Sequence, residues 1–136
     1  MLDANDVIEA VSLHLLDKGY SIVEKSQRGK VAIVARDPES KRHLLVSASG
    51  AVRPKAGGEK PQRSWTESQV FRALTISIAN ALMIRHRSQF NPGDQIALAF
   101  PDLPAVRKYL GAEKPVMDCL GVCFFLVTPE KNVELI

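Results

Sequence analysis

Two short runs of this chain contain no polar residue: Val31-Ala32-Ile33-Val34-Ala35 and Leu44-Leu45-Val46. Both are short and apolar, the first rich in β-branched residues, and both read as strands. Successive side chains of a strand point to opposite faces, so a run that is apolar at every position must be covered on both sides. These strands are therefore expected inside a sheet with a protein layer above and another below. Between them, Arg36-Asp37-Pro38-Glu39-Ser40-Lys41 supplies turn formers and reads as a hairpin connection.

The covering layers are visible as helices. From Asn5 to Lys18, the residues Val7, Ile8, Val11, Leu15 and Leu16 form an apolar stripe, with Asp3, Asn5 and Asp6 as capping chemistry and Gly19 as a stop. A longer helix is predicted to about Arg87, opening at Ser64-Trp65-Thr66-Glu67, where Ser64 and Glu67 have capping-box spacing. Its apolar residues wrap most of the circumference, so it is expected against a sheet with other protein over part of its outer side. Asn91-Pro92-Gly93 closes it. Tyr20 to Val23 reads as a first strand, Gln95 to Phe100 and Val122 to Val127 as later ones, and Val133 to Ile136 as a short terminal one. A helix is predicted from Pro104 to Leu110, with Asp102 as its cap, and a further helical turn or two over Pro115 to Cys119. The fold class is α/β: a mixed central sheet flanked by helices, in the order α-β-β-β-α-β-α-β.

The chain has 136 residues, 46% hydrophobic and 24% charged, which suits a single domain over 1–136 and excludes a disordered chain. The longest apolar window, Val70 to Ile84, is interrupted by Arg72 and Asn80 and is shorter than the roughly 20 residues of a bilayer span, so no membrane partner is expected. The acidic N-terminus does not resemble a signal peptide. Cys119 and Cys123 cannot make a disulfide framework, are spaced unlike a zinc or redox pair, and are expected to pack in the core of a cytoplasmic protein. His14, His43 and His86 are scattered and show no metal-ligand spacing. No cofactor is expected.

The net charge of +3 hides a strong asymmetry: residues 1–24 sum to −4, residues 25–64 to +7 and residues 65–136 to zero. The basic middle includes Lys25, Arg28 and Lys30, then Arg53, Lys55, Lys60 and Arg63 around a Gly- and Pro-containing loop at about 50–63 that is expected to be mobile. A polyanion, DNA or RNA, is one explanation. Solvated strand edges and loops are the other.

Five positions give the pattern a sharper meaning. Val31-Ala32-Ile33-Val34-Ala35-Arg36 is followed by Leu44-Leu45-Val46-Ser47-Ala48-Ser49-Gly50, with Glu9 on the helix before and Gln69 on the helix after. This order over roughly residues 5–128 resembles the PD-(D/E)XK, or restriction endonuclease-like, nuclease fold, including small bacterial relatives with a basic loop and a Gln-bearing helix. The resemblance implies a metal-binding Asp at Ala32, an acid at Ser47 and a Lys at Ser49, with Glu9 and Gln69 completing the site. The three central positions all depart from the pattern, and no acid occurs from Val31 to Ala35 or from His43 to Gly50. Mg²⁺ needs anionic oxygen ligands, which alanine and serine do not supply.

The resulting expectation is a nuclease-like domain that is not an enzyme and that binds nucleic acid through its basic strand-loop region. The alternatives are a protein-interaction or homodimeric assembly module on the same scaffold, and a metal-dependent nuclease with relocated site residues drawn from Glu9, Glu24, Asp37 and Glu39. Trp65 is expected to anchor the long helix rather than to stack a base.

Overall fold

A computed structural model of the chain describes residues 2–26, 31–50, 65–85 and 91–136. Within these, α1 (Ala4–Asp17) precedes the strands β1 (Ser21–Lys25), β2 (Ile33–Arg36) and β3 (His43–Ala48). Helix α2 (Glu67–Arg85), β4 (Gln95–Pro101), α3 (Pro104–Leu120), β5 (Val122–Val127) and β6 (Val133–Leu135) follow. The six strands form one mixed sheet in the spatial order β1-β2-β3-β4-β5-β6. The first three pair antiparallel as a meander, β3, β4 and β5 run parallel, and β6 returns antiparallel. The parallel steps are made by α2 and α3, because a parallel neighbour can be reached only by a crossover.

The two-sided burial expected of the apolar runs is present. Leu44, Val46, Ile33 and Ala35 pack with Val7, Val11 and Leu15 of α1. Leu45 turns to the other face, with Ile96, Leu98 and Phe124, beneath Leu74 and Ile84 of α2 and Val106 of α3. At about 2–3 kcal/mol for each fully buried large apolar side chain, these two half-cores are the main source of stability.

Local chemistry sets the element ends. Asp3 caps α1: its carboxylate accepts from the Asp6 N–H at 2.9 Å, and the Asp6 carboxylate accepts from the Asp3 N–H at 3.0 Å. Gly19 follows at φ +91°, a conformation suited to glycine. In the β2–β3 hairpin the Asp37 carboxylate accepts from the Glu39 and Ser40 N–H groups. Those two bonds hold its pKa below the usual carboxylate range.

Several local expectations are corrected. The capping box of α2 is built on Thr66 and Gln69, whose side chains each accept the other's N–H, at 3.3 and 2.8 Å; Ser64 lies outside the described residues. Trp65 and Val70 then occupy the flanking staple positions, and both pack in the α2–α3 core. Helix α3 is continuous through Pro115 rather than two pieces, and the residue four before the proline is the exposed Gly111. Its N-cap is Leu103, with no side-chain bond, because Asp102 is held by Arg107. Asn91 to Gly93 forms the turn into β4, with Asp94 accepting from the Asn91 N–H, and residues 86–90 between it and α2 lie outside the described residues. Leu16 is exposed rather than part of the buried stripe, and Cys119 is exposed on α3 rather than in the core, off the buried line of Val106, Leu110 and Met117.

Candidate functional site

The ends of β3 and β4, the start of β2 and the N-terminus of α1 meet at one end of the sheet. The Ala32 N–H donates to the Val46 carbonyl at 2.8 Å, and the Ser49 N–H to the Ala99 carbonyl at 3.0 Å. The β2–β3 pairing ends at Ile33–Val46, and Ala32 packs with Ile33 and Val46 in the half-core on the α1 side. Alternation along β3 turns Ser47 and Ser49 to the side of Leu45, under α2. There the Ser49 hydroxyl lies 3.4 Å from that of Ser77, a residue of α2 only 6% exposed. Ala32 and Ser47 are also buried. Gly50 closes this end: a Cβ on it would stand 2.4 Å from the Ala4 nitrogen and 2.5 Å from the Asp3 carbonyl carbon. The backbone can pass α1 this closely only at a residue without a side chain.

Of the five positions singled out in the sequence, Ser47 and Ser49 thus share the α2 side of the sheet with Ser77, while Ala32 lies at the same end of the sheet but in the half-core on the α1 side. The other two are placed elsewhere. Glu9 is exposed on α1, across the sheet from Ser47 and Ser49, and forms an ion pair with Lys25 at the end of β1. Gln69 is exposed in the first turn of α2, its amide oxygen committed to the Thr66 N–H. Of the basic residues, Lys25 is exposed and paired as stated; Arg28, Lys30, Arg53, Lys55, Lys60 and Arg63 lie outside the described residues.

Three carboxylates at this end are already engaged. Asp3 and Asp6 close the α1 capping box. Asp102, just past β4, takes two bonds from the Arg107 guanidinium, at 2.7 and 2.9 Å, which holds its pKa below the usual carboxylate range despite partial burial. Among the described residues no group of three or more His, Cys, Asp or Glu side chains is placed to hold a metal ion. The three neutral hydroxyls of Ser47, Ser49 and Ser77 can make hydrogen bonds, but they cannot concentrate a hard divalent cation.

Asp94 escaped the sequence reading. Its side chain is 4% exposed, and it accepts from the His43 N–H at 3.0 Å, tying the start of β3 to the start of β4. Its signal is the Asn-Pro-Gly-Asp turn just before a strand. Ser77 left no such signal, being one small polar residue within a predicted apolar helix.

No family model and no curated protein matches the chain. Among solved structures, an FdxN element excision controlling factor protein from Anabaena variabilis has a similar fold, with a TM-score of 0.58 over 97% of this chain and 98% of that one, at 17% identity. At that identity the likeness is one of fold alone. No helix among the described residues is long and apolar enough to cross a membrane.

Proposed function

We propose that this chain is a restriction endonuclease-like domain whose catalytic centre has lost its acids, and that it holds nucleic acid through the basic stretch between residues 25 and 63 without cutting it. The observation that carries this reading is that Ser47 and Ser49 lie under α2 at one end of the sheet with Ser77 as a further neutral hydroxyl rather than a carboxylate, and that Ala32 at the start of β2 offers no ligand at all. A centre of this kind cannot stabilise charge on a scissile phosphate through bound Mg²⁺. The +7 charge of residues 25–64 supports attraction to phosphates. The name of the structurally similar excision controlling factor lends the nucleic-acid reading further support.

A fluorescence-anisotropy titration against duplex and single-stranded DNA at several salt concentrations tests it. Affinity should fall as salt rises, and replacing Arg53, Lys55, Lys60 and Arg63 by alanine should reduce the slope of log K against log salt by about 3 to 4 for duplex DNA. Binding that is insensitive to salt, or absent near physiological ionic strength, contradicts it. Mg²⁺- or Mn²⁺-dependent cleavage abolished by Glu9→Ala would instead establish a relocated nuclease site.

A second reading has its own observation. Helix α2 leaves Phe71, Ile76, Leu82 and Met83 between 39% and 56% exposed. Such a face suits assembly with another protein surface, including a second copy of the chain. Light scattering after size exclusion would show a dimer that Ile76→Asp and Leu82→Asp dissociate; a monomer at all concentrations removes this reading.

A further inference from the structure

The opposite end of the sheet, where β3, β4 and β5 begin, carries a cleft that the proposed function does not use. Its larger lobe, of about 500 Å³, lies beneath the C-terminal half of α1 and is floored by Leu15, Leu44 and Phe125. All three are at most 5% exposed. The His14 ring meets the Phe125 ring edge-on, with centroids 5.9 Å apart. A smaller lobe, of about 110 Å³, opens toward the β2–β3 hairpin and Gly93. The two lobes share Tyr20, Leu44 and Gln95 as lining residues and so lie side by side. A volume of this size, apolar at its base with a few polar groups around it, suits a small organic molecule.

The charges at its mouth narrow the class. Lys18 borders the larger lobe and Arg42 the smaller. Among the described residues neither belongs to an ion pair. The Asp37 carboxylate also lines the smaller lobe, its Oδ1 accepting from the hairpin amides of Glu39 and Ser40. Two cations and one carboxylate therefore line the two lobes, a net positive balance. The remaining groups are suited to binding rather than to chemistry. Burial pushes the Cys123 thiol and the Tyr20 phenol up, so both stay protonated at neutral pH, and it pushes His14 down, toward the neutral imidazole. The Cys123 thiol is directed at the Ile96 carbonyl, 3.6 Å away.

We infer that this cleft is a binding site for a small organic anion with an apolar body, a carboxylate on an aromatic ring or short branched chain. The apolar part rests on Leu44 and Phe125, and the carboxylate lies between Lys18 and Arg42. The Tyr20 hydroxyl and the Gln95 amide supply hydrogen bonds beside it.

Titration of ¹⁵N-labelled protein with sodium benzoate, and separately with neutral benzamide, tests the assignment. Benzoate should shift amide signals around Tyr20, Leu44, Gln95 and Cys123, with a dissociation constant of about a millimolar, as expected for a ligand of roughly ten heavy atoms. The double variant Lys18→Ala, Arg42→Ala should weaken benzoate about fivefold and leave benzamide within about twofold. Leu135→Glu changes a rim residue that is 60% exposed, so the fold tolerates it, and it should weaken benzoate by repulsion. Shifts scattered over the surface, no shift at about ten times that concentration, or equal responses of benzoate and benzamide to the variants would overturn the assignment. None of these results bears on Ser47 and Ser49 at the far end of the sheet.

Discussion

Two glycines offer the same substitution with opposite expected signs. At Gly50 an added methyl would meet backbone, 2.4 Å from the Ala4 nitrogen, 2.5 Å from the Asp3 carbonyl carbon and 2.7 Å from the Asp3 Cα. Backbone cannot swing aside as a side-chain tip can, so Gly50→Ala belongs at the upper end of overpacking costs, about 3 kcal/mol. The lost freedom of the unfolded chain returns roughly 0.5–1 kcal/mol, leaving a net loss of about 2 kcal/mol. For 136 residues the unfolding entropy is roughly 0.3 kcal/mol per degree, so Tm should fall by about 7 °C. At Gly111, exposed within α3, a methyl would meet nothing within 4 Å. Gly111→Ala should therefore stabilise by about 0.5–1 kcal/mol and raise Tm by roughly 2–3 °C. Thermal unfolding by circular dichroism and urea titration with a common m-value would measure both. If α1 is displaced as the clash requires, hydrogen exchange at the Asp6 amide should also quicken, because its bond to Asp3 is part of the box against which Gly50 rests. A Gly50→Ala protein as stable as its parent would refute the close approach and, with it, the placing of α1 against the end of β3.

Leu74→Ala, at a fully buried position between α2 and the sheet, should cost about 3 kcal/mol in urea unfolding; under 1 kcal/mol would mean that α2 does not seal that face. Arg107→Ala removes bonds to Asp102 and Glu134 at a side chain 47% exposed, and should cost no more than about 1 kcal/mol. Asp102 has its pKa lowered in the folded state, so its contribution is present above the unfolded carboxylate pKa and is lost as pH falls through the folded one. The variant should accordingly show a shallower fall of Tm below about pH 4, and an unchanged acid limb would count against the pairing. His14 is a base with a lowered folded pKa, so stability should begin to drop as pH falls below about 6.5, and His14→Gln should flatten that drop in a Tm–pH profile.

The chain states much of its architecture locally. Runs apolar at every position require a sheet covered on both faces, and Leu45 and Val46 face opposite half-cores as that argument demands. Asp3 with Asp6, and Asp37 in its hairpin, act on amides two or three residues away, so their roles can be read from spacing alone. Missing acids are equally legible: Ala32, Ser47 and Ser49 are neutral whatever surrounds them. Choices between local partners were harder to read. Ser64 with Glu67 and Thr66 with Gln69 have the same spacing, and the helix start depends on how Trp65 and Val70 pack. Asp102 could cap α3, yet binds Arg107, because a bidentate charged pair outweighs a single cap bond.

Only the tertiary structure decided which distant residues meet. The parallel register of β3 with β4 carries Ser49 to Ala99, and the crossing of α2 carries Ser77 to Ser49, over 28 residues of chain. The cleft at the other end joins Lys18, Arg42, Gln95 and Phe125 from four separate elements and turns. Side-chain type and short-range spacing determine element, cap and charge, since those energies act within a few residues. Register, crossover and cavity come from packing whole faces against one another, a sum over contacts that no short stretch of sequence contains.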